Sequence, residues 1–191
     1  MTRGRTAAGP TDGRRVRGQR RRSEIIAATL RVVERDGVAG VTHRAVAREA
    51  GVPASSALYY FATLDDLLVA ALTEAADGYV HRMRELVGAG QDALDGLAAM
   101  VTESAEPAGR IRSLAEYELT LLAVRRPALR PVARKWIDLV AEVAAGYTDD
   151  PVAIRAAVAV ADGLCIEALL EDRALEPGEV RAVLRHVLRL T

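Results

Sequence analysis

The hydrophobic residues of this chain recur every three or four positions in one segment after another, and this periodicity most constrains its fold. Ile25, Ile26, Leu30 and Val33, for example, fall on one side of a helix drawn through them. Glycine or proline interrupts the pattern between segments. No segment alternates polar and apolar side chains as a half-buried strand does. The sequence therefore predicts an all-α protein of nine or ten helices.

Capping residues and helix breakers indicate where the predicted helices begin and end. Thr42 is placed as an N-cap, and Thr63 with Asp66 forms a Thr-x-x-Asp variant of the capping box. Pro107 and Gly109 are expected to break the chain. The predicted helices cover about residues 20–36, 43–50, 53–60, 64–87, 91–106, 110–126, 128–147, 150–172 and 177–190.

The composition excludes several classes of protein. Cys165 is the single cysteine, so neither an internal disulfide nor a cysteine-rich zinc site can form. The three histidines are too far apart for a metal motif, and no cofactor motif is present. No apolar run reaches the roughly 18 residues of a membrane span, and no apolar segment follows the basic N-terminus as in a signal peptide. We expect a cytoplasmic protein without metal, cofactor or membrane association.

The net charge of zero conceals a division along the chain. Residues 1–62 hold 12 arginines and 5 acidic residues, a balance of +7, whereas residues 63–191 carry a balance of −7. Such asymmetry indicates a part that faces nucleic acid joined to a part that faces something else. Residues 1–19 mix arginine with glycine, threonine and proline without periodicity, and we expect a flexible basic arm there.

The most informative stretch is residues 42–61, where two short helical segments flank a turn at Gly51. This is the helix-turn-helix arrangement, in which the second helix enters the major groove of DNA. Small side chains would let that helix approach base edges, and nearby arginines would contact phosphates. The candidates for base edges are Ala54, Ser55, Ser56 and Ala57. The candidates for phosphate are Arg20, Arg21, Arg22, Arg44 and Arg48.

The motif THRAVAREAGV at residues 42–52, followed by LYYF at 58–61 and DDLL at 65–68, resembles the N-terminal domain of TetR-family transcriptional repressors. The preceding IIAATLRVVERDGVAGVT is similar to that family's first helix and its glycine turn. The resemblance implies a DNA-binding domain over residues 20–66 and a helical effector-binding and dimerisation domain over residues 67–191.

The resemblance also implies roles for individual residues. Thr42 and Arg44 would contact the DNA backbone or a flanking base, and Ser55 and Ser56 would read bases. Tyr59 or Tyr60 would contact a phosphate, and His43 is a further candidate for a phosphate contact.

This sequence departs from the family pattern at three positions. The family's Leu-Tyr pair aligns with Ala57 and Leu58, so the choice between the two following tyrosines stays open. Pro53 stands where serine or threonine is common, and Asp65 replaces the usual lysine. Some residues also have a structural interpretation: Tyr60 and Phe61 as core, His43 as an exposed residue of the capping turn.

The resemblance further implies a homodimer that binds a palindromic operator and responds to an unknown small-molecule effector. The helices at about 128–147 and 150–172 are rich in small and aliphatic residues and are the expected dimer surface, although burial within one domain would explain them too. Few aromatic residues follow residue 61, which makes a large pocket for flat cationic drugs less favoured. The effector-binding candidates are Tyr79, Met83, Met100, Arg112, Glu116, Tyr117 and Trp136.

Two other classes of function are compatible with an all-α chain. A helical enzyme would need a nucleophile–base pair or paired carboxylates, and the sequence shows no such motif or phosphate-binding loop. It would also leave the basic N-terminal segment without a role. A non-specific DNA-coating protein would bind without sequence preference. The sequence favours a ligand-responsive repressor that is not an enzyme.

Overall fold

The computed structural model describes residues 10–171 and 174–190, and over these residues the chain forms helices and turns but no strand. The all-α prediction is confirmed. The helices are α1 Pro10–Asp36, α2 His43–Glu49, α3 Ala54–Tyr60, α4 Leu64–Gly88, α5 Ala93–Ala105, α6 Pro107–Arg125, α7 Arg130–Ala133, α8 Lys135–Ala145, α9 Pro151–Glu171 and α10 Pro177–Val187. Two 3-10 turns cover Val38–Gly40 and Pro127–Leu129.

The predicted helix starts are confirmed by hydrogen bonds between side chain and backbone. Thr42 Oγ1 accepts from the backbone N–H of Ala45 at 3.0 Å and caps α2. At the start of α4, the Thr63 N–H donates to Asp66 Oδ2 at 3.2 Å, and the Asp66 N–H donates to Thr63 Oγ1 at 3.1 Å. This reciprocal pair satisfies backbone donors that a helix start otherwise leaves unbonded.

The chain divides into two compact units between Leu67 and Leu68, next to the boundary expected from the sequence. In the first unit, α2 packs against both α1 and α3. Burying each large aliphatic side chain of its core contributes about 1.5–3 kcal/mol. The buried residues of this core include Ile25, Ile26, Val32, Val33, Val46, Ala57, Phe61 and Leu67.

An ion-pair cluster on the surface links α1 to α2. Glu49 accepts hydrogen bonds from Arg31 Nε at 2.8 Å and from Arg35 Nη1 at 2.7 Å. These two guanidinium groups lower the pKa of the Glu49 carboxyl. The cluster adds a polar contact between α1 and α2 at the surface, beside the apolar packing of the two helices.

The first helix is longer than predicted. It begins at Pro10, so residues 10–19, which we expected to form part of a flexible arm, are helical, while residues 1–9 of that arm lie outside the described residues. Prediction from apolar periodicity missed this extension because its arginines present no apolar stripe. Arginine is nevertheless a good helix former, and proline is tolerated in a first turn.

The segments near Pro107 and Pro131 also differ from the prediction. The expected break falls at Glu106, between α5 and α6, and Pro107 opens α6 while Gly109 lies inside that helix. A Cβ at Gly109 would stand 1.9 Å from the Glu103 carbonyl oxygen, so only glycine permits this close reversal between α5 and α6. The helix predicted at 128–147 is divided into a 3-10 turn, α7 and α8. Pro127 and Pro131 lack the N–H groups that a continuous helix would use.

Two helix ends were placed differently from the prediction. Pro53 caps α3 rather than lying within it, and α10 ends at Val187 rather than near residue 190. None of the described helices is long and apolar enough to cross a membrane.

The second unit is built around α5, which packs against α6, α8, α9 and α10. Its core is formed mainly by aliphatic side chains, among them Leu94, Leu97, Val101, Val140 and Leu184. Arg110 at the start of α6 donates hydrogen bonds to the carbonyl oxygens of Ala168, at 2.6 Å, and Leu169 near the end of α9. These hydrogen bonds, and another from the Tyr117 hydroxyl of α6 to Asp162 of α9, hold α6 and α9 side by side.

Candidate DNA interface and effector cavity

A tight turn between α2 and α3 sets the geometry of the candidate DNA interface. Gly51 has a φ of 66°, a left-handed conformation that favours glycine. The Val52 N–H donates to the Ala47 carbonyl oxygen at 2.9 Å and closes the turn. Ala57 is buried against α2, whereas Ala54 and Ser55 at the start of α3 are exposed and Ser56 is half-buried. The first turn of α3 therefore faces solvent with small side chains.

A basic cleft lies between α3 and the first half of α1. Its lining combines arginines with the serines and tyrosines of α3: Arg14, Arg17, Gly18, Arg21, Ser55, Ser56, Tyr59 and Tyr60. A Cβ at Gly18 would lie 3.7 Å from the Tyr60 hydroxyl, so the two helices approach closely. Sequence reasoning missed Arg14 and Arg17 as members of this surface because it placed them in a flexible arm. The density of arginine before residue 20 was the available signal.

The predicted arginines differ in their surroundings. Arg20 Nε lies 3.1 Å and Arg21 Nη1 3.3 Å from carboxylate oxygens of Glu24, and of the two only Arg21 lines the basic cleft. Arg22 stacks over the Phe61 ring, 5.0 Å from its centroid. Arg44 and Arg48 are exposed on α2.

The predicted polar contacts around α2 are partly used within the fold. Thr42 is exposed, but its hydroxyl oxygen already caps α2. His43 is half-buried, and its Nε2 lies 2.9 Å from the Phe61 carbonyl oxygen, a hydrogen bond that joins the start of α2 to the end of α3. Phe61 itself is buried in the core of the first unit.

The two tyrosines of α3 take different positions. Tyr59 is 83% exposed, whereas Tyr60 is half-buried. Their rings meet edge to face with 5.1 Å between centroids. Both line the basic cleft, so both remain candidates for the phosphate contact.

The second unit encloses a cavity of about 310 Å³. Residues from α4, α5, α6, α8 and α9 contribute to its lining, as does the short α7. The lining residues are Leu72, Ala75, Ala76, Tyr79, Met100, Ser104, Ser113, Glu116, Tyr117, Thr120, Leu121, Val132, Ala133, Trp136, Ile137, Asp162, Cys165 and Ile166.

The cavity combines aromatic rings with two acidic side chains. The rings of Tyr79 and Trp136 lie 5.1 Å apart between centroids, with 55° between their planes. Glu116 is only 8% exposed, and Asp162 is half-buried. Aromatic faces and carboxylates both attract cations, and the low dielectric of a buried site strengthens that attraction.

The thiol in this cavity is not poised for redox chemistry. Burial raises the pKa of the Cys165 thiol to about 11, and the Ser104 hydroxyl lies 3.3 Å from its sulfur. A reactive thiol needs a lowered pKa and access to solvent. Among the described residues, no three histidine, cysteine, aspartate or glutamate side chains cluster as metal ligands would.

The structure brings five of the seven effector-binding candidates together. Tyr79, Met100, Glu116, Tyr117 and Trp136 all line the cavity. Met83 does not line it: the residue is buried in the core, where its sulfur would lie 3.3 Å from a Cβ at Gly96. Arg112 also lies elsewhere, on the exposed side of α6.

Sequence reasoning missed Asp162 as a cavity residue. A signal was available, since Asp162 interrupts the apolar run from Ala156 to Ile166 in α9. An acidic residue in such a run has to be hydrogen-bonded or solvated, and here the Tyr117 hydroxyl donates to its Oδ1.

Family models match both the N-terminal and the C-terminal part of the chain. The family model described as "Bacterial regulatory proteins, tetR family" matches residues 25–71, and "Tetracyclin repressor-like, C-terminal domain" matches residues 89–190. SCO1917 of Streptomyces coelicolor A3, a member of the TetR family, is 44% identical with a TM-score of 0.76, and the match covers 87% of this chain and 97% of that one. The multidrug binding protein EbrR complexed with ethidium is also 44% identical, with a TM-score of 0.75 and coverage of 87% and 98%.

A curated relative matches the N-terminal part. The HTH-type transcriptional regulator PksA of Bacillus subtilis (strain 168) is 32% identical over 68 residues, which span 36% of this chain and 33% of PksA. The fold, the helix-turn-helix and these matches define a DNA-binding transcriptional regulator rather than an enzyme. The chain belongs to the TetR family of bacterial regulatory proteins.

Proposed function

We propose that this protein is a homodimeric cytoplasmic repressor that binds a palindromic operator and leaves it when a small molecule occupies the cavity. The observation that carries the DNA-binding part is the basic cleft beside the first turn of α3. Four serine and tyrosine side chains of one short helix adjoin three arginines of another there. Such a surface offers hydrogen bonds to bases and positive charge to phosphates.

On DNA, α3 would lie in the major groove with its small N-terminal residues towards the bases. Ser55 and Ser56 would read base edges, and Ala54 would allow close approach or contact a thymine methyl group. The remaining candidates would contact the DNA backbone, with the α1 arginines positioned by the helical extension. These backbone candidates are Arg20, Arg21, Thr42, His43, Arg44, Tyr59 and Tyr60.

A homodimer suits the proposed palindromic operator, because both have two-fold symmetry. A dimer can place two recognition helices about one helical turn of DNA apart, and this matches a palindrome. Effector binding would favour a dimer geometry in which the two helices no longer fit both half-sites. The effector then lowers operator affinity by its preference for that geometry.

For the effector we propose a flat cationic aromatic compound. The sequence made this class less favoured because few aromatic residues follow residue 61. The aromatic residues are few along the chain, but Tyr79, Tyr117 and Trp136 line one cavity together with two acidic residues. Relatives support the class: EbrR has been crystallised with ethidium, malachite green and proflavin.

Selection from a random DNA pool tests the DNA-binding part. An enriched palindrome bound by two chains supports the proposal, and addition of ethidium should then release that DNA. Binding without an enriched motif would indicate a non-specific coating protein. Failure to bind any DNA at low salt would contradict the proposed role of the basic cleft. Operator binding unaffected by saturating ethidium would remove the effector class only.

A further inference from the structure

The side of α3 that faces solvent has a polar half and an apolar half. Each residue turns an α-helix by about 100°, so residues one, four and five positions apart lie near one side. In this seven-residue helix the residues so placed are Ala54, Ser55, Leu58 and Tyr59, and all four are exposed. The other three residues of α3 are buried or half-buried. We call the four exposed residues the outward face of α3.

Only the polar half of the outward face adjoins the basic cleft. Ser55 and Tyr59 line the cleft, whereas Ala54 and Leu58 do not. The apolar half therefore lies on the side of α3 that is turned away from the α1 arginines. Hydrogen bonds and phosphate contacts leave this half of the face without a role.

Leu58 is the large side chain of the apolar half. It keeps 49% of its surface exposed, and within the described residues 42–61 it is the only exposed aliphatic side chain larger than alanine. Its neighbours Ala57 and Phe61 supply the apolar contacts of α3 with the core. An isolated exposed leucine is common on protein surfaces. This one lies near the centre of the face that the proposed function turns towards DNA.

The chemistry of Leu58 differs from that of the family pattern, which has a tyrosine at this position. A leucine side chain has no hydrogen-bond donor or acceptor, so it can hold neither a phosphate oxygen nor a polar base edge. It can stabilise a complex only by burying apolar surface. The partner of Leu58 on DNA must therefore be apolar.

The major groove offers one apolar group, the C5 methyl group of thymine, among hydrogen-bond donors and acceptors. Opposite cytosine or guanine, Leu58 would remove polar groups from water without replacing their hydrogen bonds, which is unfavourable. Leu58 also lies one helical turn, about 5.4 Å, beyond Ala54. A recognition helix approaches the bases with its N-terminal residues, so a longer side chain suits a contact one turn further on.

We propose that Leu58 reads a thymine in each half-site of the operator through the C5 methyl group. This rests on the proposed function, which places α3 in the major groove, and it adds which base the apolar half selects and by which atoms. The polar half of the outward face then reads hydrogen-bonding groups, and the apolar half reads a methyl group.

The test removes that methyl group and nothing else. The probe is the duplex that the protein enriches from the random pool, with the thymines of one half-site replaced one at a time by 2′-deoxyuridine. Uracil keeps the pairing with adenine and the O4 acceptor of thymine. Fluorescence anisotropy gives the Kd of each duplex for the wild type, Leu58→Ala and Val87→Ala. Val87→Ala is the matched control, because Val87 is a 45% exposed aliphatic residue of the second unit.

We expect uracil at one thymine position to raise the Kd of the wild type and of Val87→Ala about fourfold. This corresponds to about 0.8 kcal/mol, the contribution of one buried carbon group. Leu58→Ala should bind the thymine and uracil duplexes equally, because it has lost the partner of the methyl group. Alanine is the best helix former and the replaced side chain is exposed, so α3 should stay folded.

Comparing two proteins on two duplexes isolates the contact between the side chain and the methyl group from any other effect of the substitution. If no thymine of the half-site is sensitive to loss of its methyl group, the proposal is overturned. If Leu58→Ala still loses affinity on the uracil duplex, another residue such as Ala54 reads the methyl group, and the assignment to Leu58 is wrong.

Failure of the proposed function gives a different result. A protein that enriches no DNA sequence would contradict the repressor, and this inference would fall with it. An enriched palindrome without a methyl-sensitive thymine would overturn the role of Leu58 and leave the repressor standing.

Discussion

The hydroxyl of Tyr117 on α6 donates a hydrogen bond to Asp162 on α9, with 2.9 Å between Tyr117 Oη and Asp162 Oδ1. Burial and the neighbouring acidic groups raise the pKa of Tyr117 far above its usual value, so the hydroxyl keeps its proton and remains a donor. The contact joins α6 and α9 at the wall of the cavity. It also holds in place a carboxylate that can attract a cation.

Replacing that carboxylate should weaken the binding of a cationic ligand. We expect Asp162→Asn to raise the Kd for ethidium about tenfold, equivalent to about 1.4 kcal/mol, because the amide keeps the shape but removes the charge. Fluorescence titration measures this Kd. Glu167→Gln is the control, since Glu167 is exposed on the same helix and outside the cavity lining. Equal affinities for the wild type and Asp162→Asn would count against a role for this charge.

Substitutions in α2 and α3 should separate base reading from phosphate contact. Ser55→Ala should change the preference at one position of the operator by about 1–3 kcal/mol. Arg44→Ala should weaken binding to all sequences and reduce its dependence on salt. Selection from the same random pool shows the first effect, and titration at several salt concentrations shows the second. If Ser55→Ala lowers affinity equally for every sequence, Ser55 does not read a base.

The helical extension of α1 should contribute to DNA affinity. Arg17 lies in the basic cleft beside Ser55 and Tyr59. If it neutralises one phosphate, Arg17→Ala should lower the slope of log affinity against log salt by about 0.9. Arg84→Ala is the matched control, because it removes an exposed arginine from the second unit. Identical slopes for the two variants would exclude Arg17 from the interface.

A hydrogen-bonded tyrosine should make part of the stability depend on pH. The Tyr147 hydroxyl donates to Asp92 Oδ1 at 2.7 Å and accepts from the Leu94 N–H at 3.0 Å. The hydrogen bond from Tyr147 lowers the pKa of the Asp92 carboxyl. The bond therefore stabilises the folded protein above the unfolded pKa near 3.8, and this stabilisation is lost as the pH falls through the lower folded pKa of Asp92.

We therefore expect Tyr147→Phe to destabilise the protein by about 1 kcal/mol at neutral pH. The difference from the wild type should shrink as the pH falls below about 4, where protonation removes the charged acceptor. Urea unfolding over a series of pH values measures both effects. Tyr59→Phe, at an exposed hydroxyl, should leave stability almost unchanged. A Tyr147→Phe effect that stays constant down to the acid transition would contradict the assigned role of Asp92.

Contacts within one helical turn could be predicted because both partners stand close together in the sequence. Thr42 with Ala45, and Thr63 with Asp66, are three residues apart, and the rules of helix capping specify their geometry. The helix-turn-helix was predictable for a similar reason, since its motif is contained in residues 42–61. The predicted helix bounds were wrong where a helix carries no apolar stripe, as in residues 10–19. They were also wrong where a glycine allows two helices to pack closely, as at Gly109.

By itself the sequence determined the helical class, the position of the helix-turn-helix and the family, because periodicity, caps and a compact motif depend on near neighbours. Only the tertiary structure decided the cavity and its lining. Tyr79 and Trp136 are 57 positions apart, and Tyr117 and Asp162 are 45 apart. Whether an aliphatic side chain such as Leu121 is buried or exposed depends on which helices pack against its own. That packing is the outcome of many weak contacts spread over the whole chain, and no single segment encodes it.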